Sequence, residues 1–436
     1  DQFKGKDRLI QPNILALELG HEWARTHLEC PLGIRVESRE GTKDSILVDG
    51  NTALGLGAIY GGATVAAWYP ITPSTSVAEA FDKYCHQLRI EPETGKKKFA
   101  IVQAEDELAA IGMAIGANWN GARAFTTTSG PGISLMSEFL GLAYFAELPV
   151  LLFNIQRGGP STGMPTRTQQ SDIISCAYAS HGDTKHVLLF PSDPTECFDF
   201  AVEGFDLTER LQTPVIVMSD LDLGMNEWTT KPFKFDESKG FDRGKVLNAE
   251  QLDEMGRFGR YLDVDGDGIP YRTYPGTHPS KGAFFTRGTS HDEYAGYTED
   301  GTINARVMMR LTHKFNTAKT LVPAPEFGQE GQNSTIGLIH FGTTAISVPE
   351  AMDILGERQI HLDTMRLRAF PFSQKVEDFI ASHDKVFVVE QNRDGQMRSL
   401  LVNEIGIDPA RLVPILNFDG FPITARTMAN MISEHL

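Results

Sequence analysis

Short apolar runs alternate with helix-length segments through the first half of the chain. The runs are rich in β-branched or aromatic residues and cover residues 64–68, 99–102, 122–127, 150–155, 187–190 and 215–218. Runs of four to six such residues, separated by segments long enough for a helix, are typical of a parallel sheet that is covered on both faces. The pattern predicts a doubly wound α/β domain over residues 46–225.

The segments on either side of this domain differ from it in composition and in hydrophobic periodicity. Residues 1–45 are polar and mixed, and the helical pattern at residues 13–27 carries apolar side chains without an evident partner. We therefore predict a tail or linker there. Residues 226–330 are rich in Gly, Pro, Asp and aromatic residues with weak periodicity, which predicts an irregular connecting region.

A second α/β signal begins after the irregular region. Residues 334–341 and 385–390 have the composition of strands, residues 346–355 have a helical pattern, and a last helix is expected from Thr424. This order of elements predicts a smaller C-terminal α/β domain over residues 331–436.

Composition narrows the classes of function. The chain has 436 residues, 41% of them hydrophobic and 22% charged, and no apolar run approaches the roughly 20 residues of a membrane span. A net charge of −17 argues against a nucleic-acid surface. The four cysteines form no C-x-x-C pair, so we expect no iron–sulfur or zinc ligand set and free thiols in a reducing cytoplasm. They are Cys30, Cys85, Cys176 and Cys197.

The first candidate motif is YPITPST at residues 69–75, directly after a predicted strand. Open α/β sheets bind ligands at the carboxyl ends of their strands, and the two prolines stiffen the loop that presents the hydroxyl groups. The alternative is a plain helix entry with Ser74 or Thr75 as the N-cap of a helix at residues 77–84. The motif alone favours that alternative.

The second candidate is a group of three acids, Glu105, Asp106 and Glu107, between a predicted strand and the helix at residues 108–118. Helix dipoles favour acids in the first turn, so capping explains two of the three. Glu107 differs because small residues follow it on the helix and let a ligand or another chain approach closely. A carboxylate held there would be desolvated and suited to proton exchange.

The third and fourth candidates also follow strands. Residues 126–132 read TTTSGPG, a glycine-rich loop at a helix start that is often only structural. Arg157 follows the strand at residues 150–155, and its fork suits a carboxylate, although a salt bridge to a neighbouring helix is its ordinary role. Polar groups follow four strands of one predicted sheet. We therefore expect these groups to line a single pocket.

Two acidic patterns resemble metal-binding motifs but are incomplete. Residues 263–268 read DVDGDG, the opening of a calcium loop, but the twelfth position is Tyr274 and lacks the bidentate Glu that completes such a loop. The same stretch resembles the start of a metal–diphosphate motif, yet no buried strand and suitably spaced Asn follow it. An Asp/Gly turn is therefore the better interpretation.

Taken together, the four motifs resemble those of the α subunits of 2-oxoacid:ferredoxin oxidoreductases, particularly the 2-oxoglutarate branch. The resemblance runs from about Gly50 to the C-terminus. It includes four later segments, SHDEY at 290–294, VEQN at 389–392, GQ at 395–396 and DGFP at 419–422. It implies a pyrimidine-type thiamine diphosphate-binding domain followed by a smaller domain like the C-terminal domain of transketolases.

The resemblance also implies roles for particular residues. Glu107 matches the glutamate that activates the cofactor, Thr72 the threonine that contacts the substrate, and Arg157 the arginine that binds the substrate carboxylate. Cofactor contacts are expected from Pro70, Ile71, Ser129 and Gly130, whereas Thr166 and Arg167, with Thr168, are expected to help hold a distal carboxylate.

The partners follow from the same resemblance. A β subunit is expected to carry Mg²⁺, the diphosphate grip and a 4Fe–4S cluster in an (αβ)2 assembly, with coenzyme A as co-substrate and ferredoxin as electron acceptor. Residues 1–28 resemble the end of a γ domain. A pyruvate or branched-chain 2-oxoacid enzyme, a transketolase-like enzyme and a non-catalytic α/β binding module remain open alternatives.

Overall fold

The computed structural model describes residues 3, 5–29, 32–328 and 334–436, and the chain divides into the units Asp1–Asp44 and Ser45–Leu436. The first unit contains helix α1 (Asp7–His27), which begins earlier than the predicted pattern and has no buried residue. Cys30 lies outside the described residues, and the other three cysteines are free and buried.

The second unit contains all of the strands and the remaining helices. Its strands are β1 (Ile46–Asp49), β2 (Val65–Trp68), β3 (Ala100–Gln103), β4 (Ala124–Thr128), β5 (Val150–Gln156), β6 (Val187–Leu189), β7 (Pro214–Asp220), β8 (Glu227–Thr230), β9 (Glu326–Phe327), β10 (Ile336–Phe341), β11 (Asp363–Leu367), β12 (Ala369–Phe370), β13 (Lys385–Glu390) and β14 (Leu412–Leu416). Its helices are α2 (Gly50–Tyr60), α3 (Thr75–Leu88), α4 (Glu107–Trp119), α5 (Gly130–Phe145), α6 (Ile173–Ala177), α7 (Pro194–Leu211), α8 (Leu221–Met225), α9 (Ala249–Glu254), α10 (Gly301–Ala318), α11 (Val348–Glu357), α12 (Gln374–Ala381), α13 (Gln396–Ile405) and α14 (Ala425–Glu434).

The larger sheet has seven strands in the order β12-β6-β7-β5-β4-β2-β3. All neighbours pair in parallel except β12, which pairs antiparallel with β6. Every residue of β4, β5 and β7 is buried, because helices cover both faces of a parallel sheet and its central strands therefore read as continuous apolar runs. The predicted parallel α/β domain and its six strands are confirmed.

The smaller sheet has five strands in the order β14-β13-β10-β11-β9, with β9 antiparallel to β11. The predicted strands and helices of the C-terminal α/β region are present here. The short strand β12 comes from this part of the chain but joins the larger sheet, where Ala369 pairs with Leu189 and Phe370 with Leu188. The two sheets are thus joined by backbone pairing as well as by a shared apolar core.

Helix α10, with 18 residues, lies in the segment predicted to be irregular and is not among the predicted elements. Its buried apolar residues, Val307, Leu311, Phe315 and Ala318, recur every three or four positions, and polar or charged residues fill most of the positions between them. Such a narrow stripe is a weak helical signal after a long stretch rich in Gly and aromatic residues. Within the described residues, no helix is long and apolar enough to cross a membrane.

A buried ion cluster holds α10 against the body of the domain. Glu147 is fully buried, and its carboxylate accepts hydrogen bonds from Arg310 and from the Lys314 ammonium at 2.8 Å. Arg260 donates to the Glu147 carbonyl oxygen at 2.7 Å. Burial alone would raise the pKa of Glu147, but the charges of Arg310 and Lys314 outweigh it and lower that pKa to about 2.

We expect Glu147→Gln to reduce the free energy of unfolding by about 3–5 kcal/mol at pH 7, since it leaves two buried cations without their anion. Because the folded-state pKa of Glu147 is lowered, its stabilisation is complete above its ordinary value of 4.5 and is lost as the pH falls towards 2. Urea unfolding between pH 3 and pH 7 measures this, and the variant's deficit should shrink in acid. Glu138→Gln, at an exposed carboxylate, is the control and should change stability by less than about 0.5 kcal/mol.

Candidate active site

The four polar motifs meet at one edge of the larger sheet. The strands that precede them, β5, β4, β2 and β3, are consecutive neighbours and run parallel, so their carboxyl ends lie on the same side. The sequence predicted this arrangement from four unrelated strand ends. The contacts between the motifs show which side chains the edge brings together.

Arg157 links the loop after β5 to the loop after β2. Its Nη1 donates to the carbonyl oxygen of Thr72 at 2.5 Å, and its Nη2 donates to the carbonyl oxygen of Thr162 at 3.2 Å. The side chain is buried, and its Nε has no hydrogen-bond partner in the part of the chain that the structure describes. Within the described residues, no carboxylate forms an ion pair with Arg157, so its charge is free to bind an anion and the salt-bridge alternative is not observed.

Glu107 is the first residue of α4, and it differs from the two acids before it. Glu105 is exposed, and the Asp106 carboxylate caps the helix by accepting from the backbone N–H of Ala109 at 2.7 Å. Glu107 is 6% exposed, and its carboxylate has no hydrogen-bond partner in the described part of the chain. Its oxygens are not among the fully buried polar atoms of the described residues, so this group is open to a donor from outside the chain.

The turn at the start of α5 lies directly against Glu107. A Cβ atom at Gly132 would be 1.9 Å from Thr128 Oγ1 and 2.9 Å from Glu107 Cγ, so only glycine fits there. The Oγ of Ser129, in the same turn, is buried without a partner in the described residues. The second and third motifs thus form one surface, with a buried carboxylate and a buried hydroxyl group.

The YPITPST loop is shaped by its own hydroxyl groups. Ser74 Oγ donates to the Ile71 carbonyl oxygen at 3.2 Å, and Thr75 Oγ1 accepts from the Ile71 N–H at 3.1 Å. Ser74 stands at the N-cap position of α3 but makes no side-chain capping bond. Pro70 and Thr72 are exposed at the tip of the loop and Ile71 is partly exposed, so these residues are available to a ligand.

A cleft of about 780 Å³ opens beside this edge. One wall comes from the start of α5 and the loop after β5, and it includes the predicted residues Gly130 and Arg157. The other wall comes from the C-terminal part of the chain and includes Asn392, Arg393 and Phe418. The cleft therefore combines both α/β parts of the chain, which sequence reasoning did not anticipate.

Asp172 lines the cleft and was missed by sequence reasoning. Its Oδ2 accepts from Asn154 Nδ2 at 3.1 Å, and a Cβ at Gly130 would be 2.8 Å from its Oδ1. Burial raises the pKa of Asp172 to about 6, although the bond from Asn154 and the charge of Arg157 oppose the rise. In sequence, an Asp just before a short helix reads as an ordinary cap, so no local signal marked it.

Arg167 and Thr166 lie on the exposed part of the loop after β5. The Arg167 guanidinium lies over the Phe421 ring, 5.0 Å from its centroid, and its Nη1 donates to the Thr166 carbonyl oxygen at 3.0 Å. Phe421 belongs to the DGFP segment, so this contact joins the loop to the C-terminal part of the chain. Thr168 is buried. The roles of Thr166, Arg167 and Thr168 towards a distal carboxylate stay predictions.

The acidic loop at residues 263–268 is occupied by a side chain of the protein itself. The Lys245 ammonium lies 2.7 Å from carboxylate oxygens of both Asp265 and Asp267, and Asp263 accepts from the backbone N–H groups of Gly266 and Gly268. The described residues contain no group of three or more His, Cys, Asp or Glu that could hold a metal ion. The Asp/Gly turn is observed, with a lysine as its cation.

Several known proteins are similar to this chain in sequence. The family model described as "Pyruvate flavodoxin/ferredoxin oxidoreductase, thiamine diP-bdg" matches residues 56–255. The α subunit of 2-oxoacid:ferredoxin oxidoreductase 2 from Aeropyrum pernix is 33% identical over 100% of this chain and 68% of its own length. The 2-oxoglutarate synthase subunit KorA from Methanothermobacter thermautotrophicus is 34% identical over 81% of this chain and 89% of its own length.

A solved structure covers nearly the whole chain. The 2-oxoglutarate:ferredoxin oxidoreductase from Magnetococcus marinus, with 2-oxoglutarate, coenzyme A and succinyl-CoA bound, matches with a TM-score of 0.86 and 31% identity over 99% of this chain and 72% of that chain.

The parallel sheet and the family match together define the class as an α/β protein with a thiamine diphosphate-binding domain. More narrowly, the chain belongs to the family of 2-oxoacid:ferredoxin oxidoreductase α subunits. It spans about two thirds of the length of some archaeal relatives, for example 62% of the α subunit from Sulfurisphaera tokodaii.

Proposed function

We propose that this chain is the part of a 2-oxoglutarate:ferredoxin oxidoreductase that activates thiamine diphosphate and holds the 2-oxoacid. The observation that carries the proposal is a pair of charged side chains at one sheet edge, Glu107 and Arg157, neither of which has an ion-pair partner among the described residues. The choice of 2-oxoglutarate is supported by the names of the KorA relatives and of the Magnetococcus marinus enzyme.

The residues at the edge fit thiamine diphosphate. When bound, the cofactor supplies a thiazolium carbon that attacks the 2-oxo carbon once its proton has been removed. Glu107 would hold a proton at a ring nitrogen of the aminopyrimidine, which favours the imino form that accepts the thiazolium proton. Pro70, Ile71 and the turn at Ser129 and Gly130 would line the same ring.

Arg157 would bind the C1 carboxylate of the 2-oxoacid, since no carboxylate of the described residues forms an ion pair with it. Its bond to the Thr72 carbonyl oxygen fixes the position of the exposed Thr72 side chain, which would donate a hydrogen bond to the substrate. Thr166 and Arg167 would hold the distal carboxylate of 2-oxoglutarate at the outer end of the loop.

The remaining parts of the reaction would come from partners. We propose a β subunit that carries Mg²⁺, the diphosphate site and a 4Fe–4S cluster, an (αβ)2 assembly in the cytoplasm, coenzyme A as co-substrate and ferredoxin as electron acceptor. Residues 1–45 would be the end of a γ domain. The products would be succinyl-CoA and carbon dioxide, with electrons leaving one at a time.

The proposal is tested by anaerobic viologen reduction with the chain copurified with its native partner, supplied with thiamine diphosphate, Mg²⁺ and coenzyme A. We expect kcat/KM for 2-oxoglutarate to exceed that for pyruvate and for branched-chain 2-oxoacids. A preference for pyruvate would overturn the substrate and keep the site. If no 2-oxoacid supports reduction although the partner holds its iron, the enzymatic proposal is wrong.

A further inference from the structure

The C-terminal part of the chain fixes the backbone around Asp172. Asn392 Nδ2 donates to the carbonyl oxygen of Gln170 at 3.0 Å, and Gln396 Nε2 donates to the carbonyl oxygen of Ser171 at 2.6 Å. Both amides come from the far wall of the cleft. Asp172 is therefore held at the meeting of the two walls and not on a free loop.

The Asp172 carboxylate faces the same space as Arg157 without pairing with it. The charge of Arg157 acts on Asp172, but no ion pair joins the two within the described residues. Gly130 leaves room for the carboxylate, and Asn154 supplies one hydrogen bond to it. Besides the Arg393–Asp394 ion pair, the cleft thus contains one cation and one anion, Arg157 and Asp172, which both line the volume where a small acid would bind.

We propose that Asp172 takes up one proton from the solvent when the carboxylate of a 2-oxoacid docks on Arg157. This rests on the proposed function of the site. An incoming carboxylate turns a neutral pair of charges into a net negative cleft, and like charges held close together in a desolvated site favour protonation of one of them. With Asp172 neutral, the positive charge of Arg157 and the negative charge of the substrate carboxylate cancel. No covalent bond to the substrate forms or breaks in this step.

Two other titratable groups near Asp172, Cys176 and Asp394, keep their charge state near neutral pH. Cys176, on α6, has a pKa well above its usual range because of burial and the nearby Asp172 charge. Across the cleft, the hydrogen bond from Arg393 lowers the pKa of Asp394. Arginine guanidinium groups keep their charge throughout. Burial places the pKa of Asp172 at about 6, so the proton is accessible at the pH where an enzyme would work.

The first test is the pH dependence of KM for 2-oxoglutarate in the assembled complex, by viologen reduction between pH 6 and pH 8.5. Above the pKa of Asp172, binding must first recruit a proton, so KM should rise with pH by up to tenfold per pH unit. Asp172→Asn should give a KM that is flat with pH and lower than that of the wild type at pH 8.5. Asp394→Asn, another carboxylate that lines the cleft but is paired with Arg393, is the matched control and should keep the wild-type slope.

The second test needs no turnover. The complex is loaded with thiamine thiazolone diphosphate, an unreactive cofactor analogue, and titrated calorimetrically with 2-oxoglutarate at pH 7.5 in phosphate and in Tris. The difference between the two heats gives the protons taken up, which should approach one for the wild type and zero for Asp172→Asn. If the variant does not assemble, a wild-type value of zero still overturns the inference.

Three results would overturn the inference: no proton uptake by the wild type, an unchanged KM slope in Asp172→Asn, or a KM raised at every pH by that variant. The last would mean that the charged carboxylate helps binding. Each of these leaves the proposed function standing, provided that the wild type reduces viologen with 2-oxoglutarate. Failure of that reduction with every 2-oxoacid would instead defeat the function itself.

Discussion

Replacing Glu107 by Gln is expected to lower kcat for viologen reduction by at least about 100-fold, because the amide cannot hold the proton that activates the cofactor and general acid–base contributions of this kind are worth about 10²–10⁴. The substitution keeps the size of a side chain packed against Gly132, so assembly with the partner should be unchanged. Proton–deuterium exchange at the thiazolium carbon should slow to the same extent, which separates cofactor activation from later steps.

Glu105→Gln is the matched control, because that acid lies two positions away and its side chain is exposed. It should leave kcat and the exchange rate within about twofold of the wild type. Equal losses in both variants would point to a general charge effect at the sheet edge. Full activity in Glu107→Gln would remove Glu107 from catalysis and with it the main chemical argument for the site.

The order of the elements was predictable because strands that are buried on both faces appear in the sequence as continuous apolar runs. The run at 150–155 is apolar on both faces, and it became β5, every residue of which is buried. The same logic located β10 and β13 in the C-terminal part. It could not locate β12, a strand of two residues whose place depends on pairing with β6 and not on its own composition.

The candidate site was predictable to the extent that it follows from strand ends. Parallel strands that lie one strand apart bring Arg157 to Thr72 and Glu107 to Gly132 once the strand order is fixed. Asp172 was not predictable, because its position depends on amides from the C-terminal part of the chain more than 200 residues away. Lys245 at the acidic loop is a similar case, since no local pattern shows which cation neutralises Asp265 and Asp267.

Arg157→Ala is expected to raise KM for every 2-oxoacid by about 10- to 150-fold, since a charge-assisted hydrogen bond commonly contributes about 1.5–3 kcal/mol. All 2-oxoacids share the C1 carboxylate, so 2-oxoglutarate and pyruvate should be affected alike. The guanidinium also holds the carbonyl oxygens of Thr72 and Thr162, and its loss should loosen both loops and lower kcat to a smaller extent.

Arg157→Lys separates these two roles. Lysine keeps the charge but cannot reproduce the fork that reaches two carbonyl oxygens and a ligand at once, so its KM should lie between those of the wild type and the alanine variant. An unchanged KM in Arg157→Ala would exclude Arg157 from the substrate site.

Comparing Arg167→Ala with Arg157→Ala shows which carboxylate of the substrate each arginine binds. The Arg167 side chain is exposed and lies over the Phe421 ring, whereas the Arg157 side chain is buried. If it holds the distal carboxylate, its loss should raise KM for 2-oxoglutarate and leave KM for pyruvate unchanged. Equal effects on both substrates would mean that Arg167 acts on the shape of the loop, and the choice of 2-oxoglutarate would then have to come from another cation of the cleft, such as Arg393.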